Sequence, residues 1–370
     1  MSRSRLGTPL YLRRKLIQNS LIRWPGLLAL ALMSILLLGG CTASAPTGWS
    51  SPVVADDVLY TGSAGGKVFA LDARTGEIRW EFPPESDKNL TAVYASPEVA
   101  GGKVYIGAYD SKMYALDAAR GFKVWEYQTG GGIYGGVAVG GEMIYFGSND
   151  GWVYALDAAN GNVKWKKQTD AGVWSTPVLA GNTLFVTSLD HTIYALDPAT
   201  GSVKWPFKAE GAIAATPIIT NSTVYVGAYD RNLYALDAGK GTEKWRFTAD
   251  NWFWARPLVV GELVYVGNLD SNFYALDAAT GQKKWQFVTR GGIRSGAVLT
   301  NGALVVGSGD GKLYEFDFNG QKKWEFNTGA AIQGAIFASK DLVFASNANN
   351  ILFAVDAATG TKRWEAQLKK

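Results

Sequence analysis

One eleven-residue pattern recurs eight times along the chain at a nearly constant interval. It reads Ala-Leu-Asp-Ala-x-x-Gly-x-x-x-Trp with small variations, and successive Trp residues are 45, 40, 40, 40, 40, 39 and 40 positions apart. A constant period of this length is typical of folds that stack one small unit many times. The repeated positions are Asp72, Asp117, Asp157, Asp197, Asp237, Asp277, Asp317 and Asp356; Gly76, Gly121, Gly161, Gly201, Gly241, Gly281, Gly320 and Gly360; and Trp80, Trp125, Trp165, Trp205, Trp245, Trp285, Trp324 and Trp364.

Each copy of the repeat contains four short segments that favour β-strands. In the copy at residues 254–288 these are Pro257–Val260, Leu263–Asn268, Asn272–Leu276 and Lys283–Val288, separated by turn residues. Short apolar or alternating segments between closely spaced turns are typical of all-β chains. The composition agrees, because 44 Gly and an aromatic content of 13% suit tight turns and strand packing better than helices.

Eight such units in series predict an all-β fold, an eight-bladed β-propeller of four-stranded antiparallel blades over residues 49–367. A single twisted sheet cannot bury both of its faces, whereas a ring of sheets buries each face against the next blade. A closed ring also leaves only short strand edges exposed, so we expect a monomeric propeller followed by a short tail at residues 368–370.

The three repeated residue types have structural roles in such a blade. Asp at the start of a turn accepts backbone N–H groups, Gly four residues later supplies a positive φ, and Trp fills the gap between blades. Eight equivalent carboxylates could also suggest acid–base or metal chemistry, but a residue needed in every blade is expected to serve the blade. We therefore predict no catalytic residue and no metal site.

Residues 1–40 have the pattern of an export signal. They contain six basic residues and no acidic one, and their apolar run Leu27–Leu38 is too short to span a bilayer comfortably. The run is followed by two glycines and Cys41, which resembles the lipobox of bacterial lipoproteins. We predict a cleaved signal peptide, a diacylglycerol on the Cys41 sulfur and a tether over residues 41–48. The alternative is an ordinary secretory signal with a chance cysteine.

Charge and cysteine content argue against several classes of function. The whole chain carries a formal charge of +4, but removal of the leader leaves 30 basic against 32 acidic residues. Without a basic surface, nucleic-acid binding loses its main support. Cys41 is the only cysteine, so the exported domain can form no internal disulfide and offers no thiol nucleophile or Cys-ligated metal site.

The eleven-residue pattern resembles the tryptophan-docking motif of the quinoprotein-type propellers, the superfamily of the pyrroloquinoline-quinone (PQQ) alcohol dehydrogenases. Eight blades is that superfamily's number, and the resemblance covers the whole mature chain. Within the superfamily, a single-domain lipoprotein of this length is most similar to the B-subunit lipoproteins of the outer-membrane β-barrel assembly machinery. The resemblance implies a non-catalytic scaffold, without a cofactor, that helps deliver or fold barrel proteins.

The dehydrogenase branch of the superfamily resembles this chain less. Many of those enzymes carry a vicinal cysteine disulfide against the quinone, whereas Cys41 is the only cysteine here. They are usually longer, with insertions that build the calcium and quinone site, while only the linker Phe82–Ser96 is extended in this sequence. PQQ with calcium is therefore expected only under the alternative that the protein is a PQQ-dependent dehydrogenase.

One variable column of residues marks a candidate binding face. If the strands of a blade run from axis to rim, the linkers between blades share a face with the turns between second and third strands. Trp252 lies beside the column, and Tyr109 and Tyr229 occupy turns of the same face. Two interpretations remain open, an aromatic plug in the neck of the funnel and a stacking surface for a peptide, glycan or planar ligand. The column, three positions before the start of each first strand, is Trp49, Tyr94, Tyr134, Trp174, Ala214, Trp254, Arg294 and Gln333.

Together these features predict a lipid-anchored, non-catalytic scaffold that binds protein partners in the cell envelope, through this face or by strand addition at an outer edge. We expect it in the outer membrane facing the periplasm, or on the outer face of the cytoplasmic membrane. The alternatives are the dehydrogenase and a propeller that senses glycans or other ligands. The single histidine, His191, lies in a variable turn and is expected to be solvated.

The replacement Cys41→Ser tests the lipid anchor. Because a serine at this position cannot form the thioether, we expect the protein to move from the membrane fraction to the soluble fraction, or to remain uncleaved. Immunoblots of fractionated cells measure both outcomes. A correctly processed variant that stays in the membrane fraction would contradict lipidation.

Overall fold

A computed structural model of the protein describes residues 50–84, 90–339 and 341–368. The predicted signal peptide and tether, together with Cys41 and Trp49, lie outside these residues. The described residues form 32 strands and no helix. Accordingly, none of them forms a helix that could cross a membrane.

The strands form eight antiparallel sheets, each made of four strands that follow one another in the chain. We number these sheets blades 1 to 8 in chain order. The first four blades comprise β1 (Val53–Ala55), β2 (Val58–Gly62), β3 (Val68–Asp72), β4 (Ile78–Phe82); β5 (Glu98–Ala100), β6 (Lys103–Gly107), β7 (Lys112–Asp117), β8 (Lys123–Gln128); β9 (Ala138–Gly140), β10 (Met143–Gly147), β11 (Trp152–Asp157), β12 (Val163–Gln168); β13 (Val178–Ala180), β14 (Thr183–Thr187), β15 (Thr192–Leu196) and β16 (Val203–Lys208). The last four comprise β17 (Ile218–Thr220), β18 (Thr223–Gly227), β19 (Asn232–Asp237), β20 (Glu243–Thr248); β21 (Leu258–Val260), β22 (Leu263–Gly267), β23 (Asn272–Asp277), β24 (Lys283–Val288); β25 (Val298–Leu299), β26 (Leu304–Gly307), β27 (Lys312–Phe316), β28 (Lys322–Asn327); β29 (Phe337–Ser339), β30 (Leu342–Ser346), β31 (Ile351–Asp356) and β32 (Lys362–Gln367). The all-β, eight-bladed propeller predicted from the repeat is confirmed.

The strand boundaries predicted for blade 6 differ from the structure by one residue at most. The first strand begins after Pro257, which has no N–H group to donate to a neighbouring strand. The second ends before Asn268, because that side chain starts the next turn by accepting the backbone N–H of Asp270 at 2.8 Å. The fourth strand, Lys283–Val288, is as predicted.

The first strands surround the central axis. They contact one another from blade to blade, including β1 with β5 and β1 with β29. The hydrophobic core lies between the blades, in eight clusters that each combine residues of two neighbours. In one of them, Ile193 and Trp205 of blade 4 pack with Val226 and Leu236 of blade 5.

Blades 8 and 1 close the ring by side-chain packing. Strands β1 and β32 each stay in their own sheet, so no strand is exchanged between the ends of the propeller. Leu59 and Phe69 of blade 1 form a buried cluster with Phe344 and Leu352 of blade 8. The closing interface therefore has the same construction as the other seven.

A repeated hydrogen bond joins each blade to the next. The indole Nε1–H of every motif Trp donates to the carbonyl one residue after the motif Asp of the following blade, over 2.9–3.2 Å. Trp364 closes the ring by donating to Ala73 O at 3.1 Å. The next blade's Gly lies against the ring: a Cβ at Gly241 would come within 2.4 Å of Trp205, and the φ of Gly241 is +71°. Only glycine fits such a position.

A second donor, which the sequence analysis missed, often reaches the same carbonyl. A carbonyl oxygen has two lone pairs, so it can accept a tyrosine hydroxyl as well as the indole. The donors, at 2.9–3.4 Å, are the second-strand residues Tyr60, Tyr105, Tyr145, Tyr225 and Tyr265.

Each motif Asp organises the turn between the third and fourth strands. In blade 3, Asp157 Oδ1 accepts the backbone N–H groups of Ala159 and Asn160 at 2.9 and 3.2 Å. Its other oxygen pairs with Lys164, the residue bulged out of strand pairing just before Trp165. These aspartates therefore hold the turn that presents the docking carbonyl.

The replacement Trp205→Ala should lower the free energy of unfolding by about 3–5 kcal/mol, as for other buried Trp truncations. The ring is only 8% exposed, and its indole donates to Ala238 O at 3.1 Å. Urea unfolding measures the loss. As a control, Trp205→Phe keeps a ring over Gly241 without the donor and should cost less. An unchanged midpoint and slope for Trp205→Ala would show that the indole does not join the blades.

Candidate functional site

The linkers between blades and the turns between second and third strands lie together on one face, which we call the linker face. Backbone hydrogen bonds join the two kinds of segment. Asn149 N–H, in the turn of blade 3, donates to Gly132 O in the preceding linker at 2.9 Å. The arrangement deduced from the meander is therefore present in the structure.

A second set of aspartates, not singled out in the sequence analysis, fastens these linkers. In blade 3, Asp150 Oδ2 accepts both the hydroxyl of Tyr154 and the backbone N–H of Gly130, each at 2.7 Å. A D-x-x-x-Y spacing at the repeat period is the sequence signal of this contact. Blades 1 and 8 have neither the Asp nor the Tyr of this pair, and Phe69 and Phe353 stand at the Tyr position. The pairs, at 2.6–2.8 Å, are Asp110–Tyr114, Asp150–Tyr154, Asp190–Tyr194, Asp230–Tyr234, Asp270–Tyr274 and Asp310–Tyr314.

The predicted column surrounds the neck of the central channel. The channel contains a cavity of about 580 Å³. Trp252 and Tyr109 lie outside its lining, on the linker face. The described members of the column all line the cavity; they are Tyr94, Tyr134, Trp174, Ala214, Trp254, Arg294 and Gln333.

One half of the neck is filled by aromatic rings from blades 2 to 4. The centroid of Tyr134 lies 5.0 Å from that of Trp174, 5.5 Å from that of Tyr109 and 6.4 Å from that of Tyr94. The Trp174 indole donates to Asn149 Oδ1 at 2.8 Å. Tyr94 is only 7% exposed, and burial raises the pKa of both Tyr94 and Tyr134. These contacts match the plug interpretation on this side of the channel.

The other half carries a ladder of rings that reaches the surface, which we call the Trp252 stack and define as Tyr229, Trp252 and Trp254. Tyr229 lies between the two indoles, with centroids 4.7 Å from Trp252 and 5.6 Å from Trp254 and near-parallel planes. The guanidinium of Arg294 lies 6.0 Å from the Trp254 ring centroid. Trp252 is 45% exposed, so this side presents an aromatic surface to solvent. The Tyr229 hydroxyl is buried and makes no hydrogen bond within the described residues.

Three charged side chains line the channel. They are Glu98 on blade 2, Arg256 on blade 6 and Arg294 on blade 7. Burial raises the pKa of the Glu98 carboxyl and lowers the pKa of the Arg256 guanidinium. His191 lies in its turn with a φ of +75° and donates its backbone N–H to Ser188 O at 3.2 Å.

The lining does not fit a quinone bound with calcium. Calcium takes six to eight oxygen ligands, often several carboxylates, and Glu98 is the only carboxylate among the residues that line the channel. In the part of the chain that the structure describes, no group of three His, Cys, Asp or Glu side chains could hold a metal ion. The expectation that the protein carries no cofactor stays a prediction.

Comparison with known families decides the classification. Four overlapping stretches, residues 37–134, 130–222, 208–297 and 288–370, match the family described as "Outer membrane protein assembly factor BamB". The chain belongs to this family. The resemblance inferred from the docking motif is thus confirmed. The family pattern matches four consecutive stretches of the chain, as expected for a sequence built from repeats. Among curated proteins, no sequence matches the chain.

Solved structures similar to this BamB-family chain share its fold at low sequence identity. BamB from Moraxella catarrhalis is 21% identical, with a TM-score of 0.69, over 81% of this chain and 91% of that one. The computationally designed Ika8 protein is 16% identical, with a TM-score of 0.71, over 86% and 95%. Quinohemoprotein alcohol dehydrogenase from Comamonas testosteroni is 18% identical, with a TM-score of 0.67, over 86% and 74%. Because a designed protein and a dehydrogenase share it, the fold alone assigns no function.

Because the tyrosines that bond to the second set of aspartates have raised pKa values, we expect the propeller to lose stability in alkali. Burial, with hydrogen bonds to Asp190 and Asp230, raises the pKa of Tyr194 and Tyr234 to about 12. An unfolded tyrosine ionises near pH 10, so above that pH the unfolded state binds fewer protons than the folded state. The urea midpoint should therefore fall as the pH rises from about 10 to 12.

The control for this prediction is Tyr194→Phe. It removes one of the responsible groups, so its midpoint should be lower at pH 8 but should fall less steeply in alkali. A wild-type midpoint that is constant over the same pH interval would rule out the proposed linkage.

Proposed function

We propose that this BamB-family propeller is a non-catalytic scaffold that binds protein partners in the cell envelope through its linker face and assists outer-membrane protein assembly. The observation that carries the proposal is the Trp252 stack, a ladder of aromatic rings with the exposed indole of Trp252 at its outer end and the Arg294 guanidinium over Trp254 at its inner end. Trp, Tyr and Arg are the residues most enriched at energetic centres of protein interfaces. The family match supports the choice of partner class.

The backbone that carries the exposed indole is held in place before any partner binds, and the indole itself stacks on Tyr229. The backbone carbonyl of Trp252 accepts the backbone N–H of Leu269 at 3.1 Å, and the backbone N–H of Trp252 donates to Asn251 Oδ1 at 2.8 Å. The Asn268 side chain donates to Asn251 O at 2.9 Å, which ties the linker to the turn of blade 6. A rigid aromatic anchor loses little conformational entropy on binding, so more of its contact energy contributes to affinity.

Among the residues that the structure describes, the opposite face presents no comparable aromatic surface. Its turns repeat the motif Asp and Gly in each blade, and these residues serve blade docking. Phe122, 52% exposed, lies on that side and contacts no other aromatic ring of the described part of the chain. The linker face is therefore the better candidate for a specific partner, and Phe122 provides a matched control position.

The proposal includes attachment to the outer membrane, facing the periplasm, through a lipid on Cys41. Its support is the sequence pattern of residues 1–41 and the family match. A lipid with two or more acyl chains gives stable anchoring. A tether of residues 41–48 would connect the lipid to the propeller.

Photocrosslinking in the native envelope tests the partner-binding surface. The photoreactive residue p-benzoylphenylalanine is placed at Trp252 or, as the control, at Phe122. After irradiation, adducts are identified by mass spectrometry. We expect barrel-assembly proteins to be captured from position 252 several-fold more than from position 122.

Equal capture from both positions, or no assembly protein at position 252, would contradict the proposal. In that case glycan-array binding that is lost in Trp174→Ala would favour the glycan-sensing alternative. Dye reduction by the purified protein with PQQ and calcium would instead favour the dehydrogenase.

A further inference from the structure

The central channel is lined by two positively charged side chains, of which the proposed scaffold function uses only Arg294, through its contact with Trp254. Arg256 and Arg294 line the same cavity from neighbouring blades. Their linkers are in close contact, since a Cβ at Gly296 would lie 3.2 Å from Arg256 O. Two arginines therefore lie side by side on one wall of the open channel, whose cavity measures about 580 Å³.

Neither guanidinium has an ionic partner among the described residues. Of the described residues that line the cavity, Glu98 alone is acidic, and it lies on blade 2, opposite blade 6 in a ring of eight. No ion pair joins it to either arginine. The side chain of Arg256 is exposed to the channel, but the surrounding protein lowers the pKa of its guanidinium, because partial desolvation disfavours the cation and no counter-charge offsets this cost. A bound anion would remove that cost.

The wall next to the arginines adds a donor and apolar surface. Thr216 Oγ1 accepts the backbone N–H of Thr176 at 3.1 Å, which leaves the Thr216 hydroxyl hydrogen available to a ligand. Ala214, Pro177 and Val178 continue the lining on that side. Hydrogen-bond donors beside apolar surface, in a cavity of this volume, are typical of small-molecule sites.

We propose that the Arg256–Arg294 side of the channel binds a small organic anion, a carboxylate or phosphate ester with an apolar body. The two guanidinium groups would hold the anionic group through charge-assisted hydrogen bonds, which are stronger than neutral ones. The apolar body would lie against Ala214 and Val178. Glu98, on the far wall, plays no part in holding the anion.

Titration calorimetry on the purified mature lipoprotein in detergent tests the site. The probes are benzoate and phenyl phosphate, with benzamide as the uncharged counterpart and inorganic phosphate as the anion without an apolar body. We expect at least one organic anion to bind with 1:1 stoichiometry, more tightly than benzamide or inorganic phosphate. Binding of benzoate alone assigns a carboxylate ligand, and binding of phenyl phosphate alone assigns a phosphate ester.

Arg256→Gln and Arg294→Gln should each weaken that binding about tenfold, because each removes a charge-assisted contact. The matched control Glu98→Gln removes a charge from the opposite wall and should leave affinity unchanged or higher. A chelator should have no effect, since no metal takes part. Unfolding midpoints equal to wild type show that the variants are folded.

Three results would overturn the proposal: neither organic anion binds the wild type, benzamide or inorganic phosphate binds as tightly as the organic anions, or both arginine variants bind with wild-type affinity. Photocrosslinking from position 252 in the Arg256→Gln background separates this site from the scaffold function. Persistent capture of partners there leaves the scaffold proposal standing when the anion site fails.

Discussion

The hydrogen bond from each motif indole to a carbonyl of the next blade is the contact on which the rest of the structure depends. It combines a directional donor, a ring packed on glycine and, in five blades, a tyrosine hydroxyl on the same carbonyl. Together these contacts fix the rotation of each blade against its neighbour. Because Trp364 makes the same bond to Ala73, the ring closes without exchanging a strand.

Two sets of aspartates stabilise the two faces of the propeller in different ways. The motif aspartates hold the turns that present docking carbonyls, so those turns cannot vary much. The second set, such as Asp150, fastens a linker through one backbone N–H and one tyrosine hydroxyl. That contact uses only the linker's backbone, so it sets no requirement of its own on the linker's side chains. The linker face can therefore carry Trp in one blade and Arg in another without weakening the ring.

The repeat was enough to predict the number of blades, the blade 6 strands to within a residue, and a column of residues around the axis. It was not enough to predict which side chains of different blades meet. Tyr105 donates to a carbonyl of the next blade, and Arg256 lines the channel without a counter-charge. Both facts depend on how the blades are placed around the ring, and the spacing of residues along the chain does not specify that placement. The exposure of the rings also depends on contacts between blades: Tyr94, packed between Tyr109 and Tyr134, is 7% exposed, whereas Trp252, at the outer end of its stack, is 45% exposed.

The surface proposed for partners and the site proposed for an anion share a physical connection. Arg294 lines the channel and also lies over the ring of Trp254. Trp254 stacks on one side of the Trp252 stack's middle ring, Tyr229, and Tyr229 also stacks on the exposed Trp252. An anion that draws the Arg294 guanidinium toward the channel changes its contact with the base of this ladder. Any coupling between the two binding events must be reciprocal, because it is a difference of free energies. A partner seated on Trp252 would then alter the affinity of the channel for its anion by the same factor.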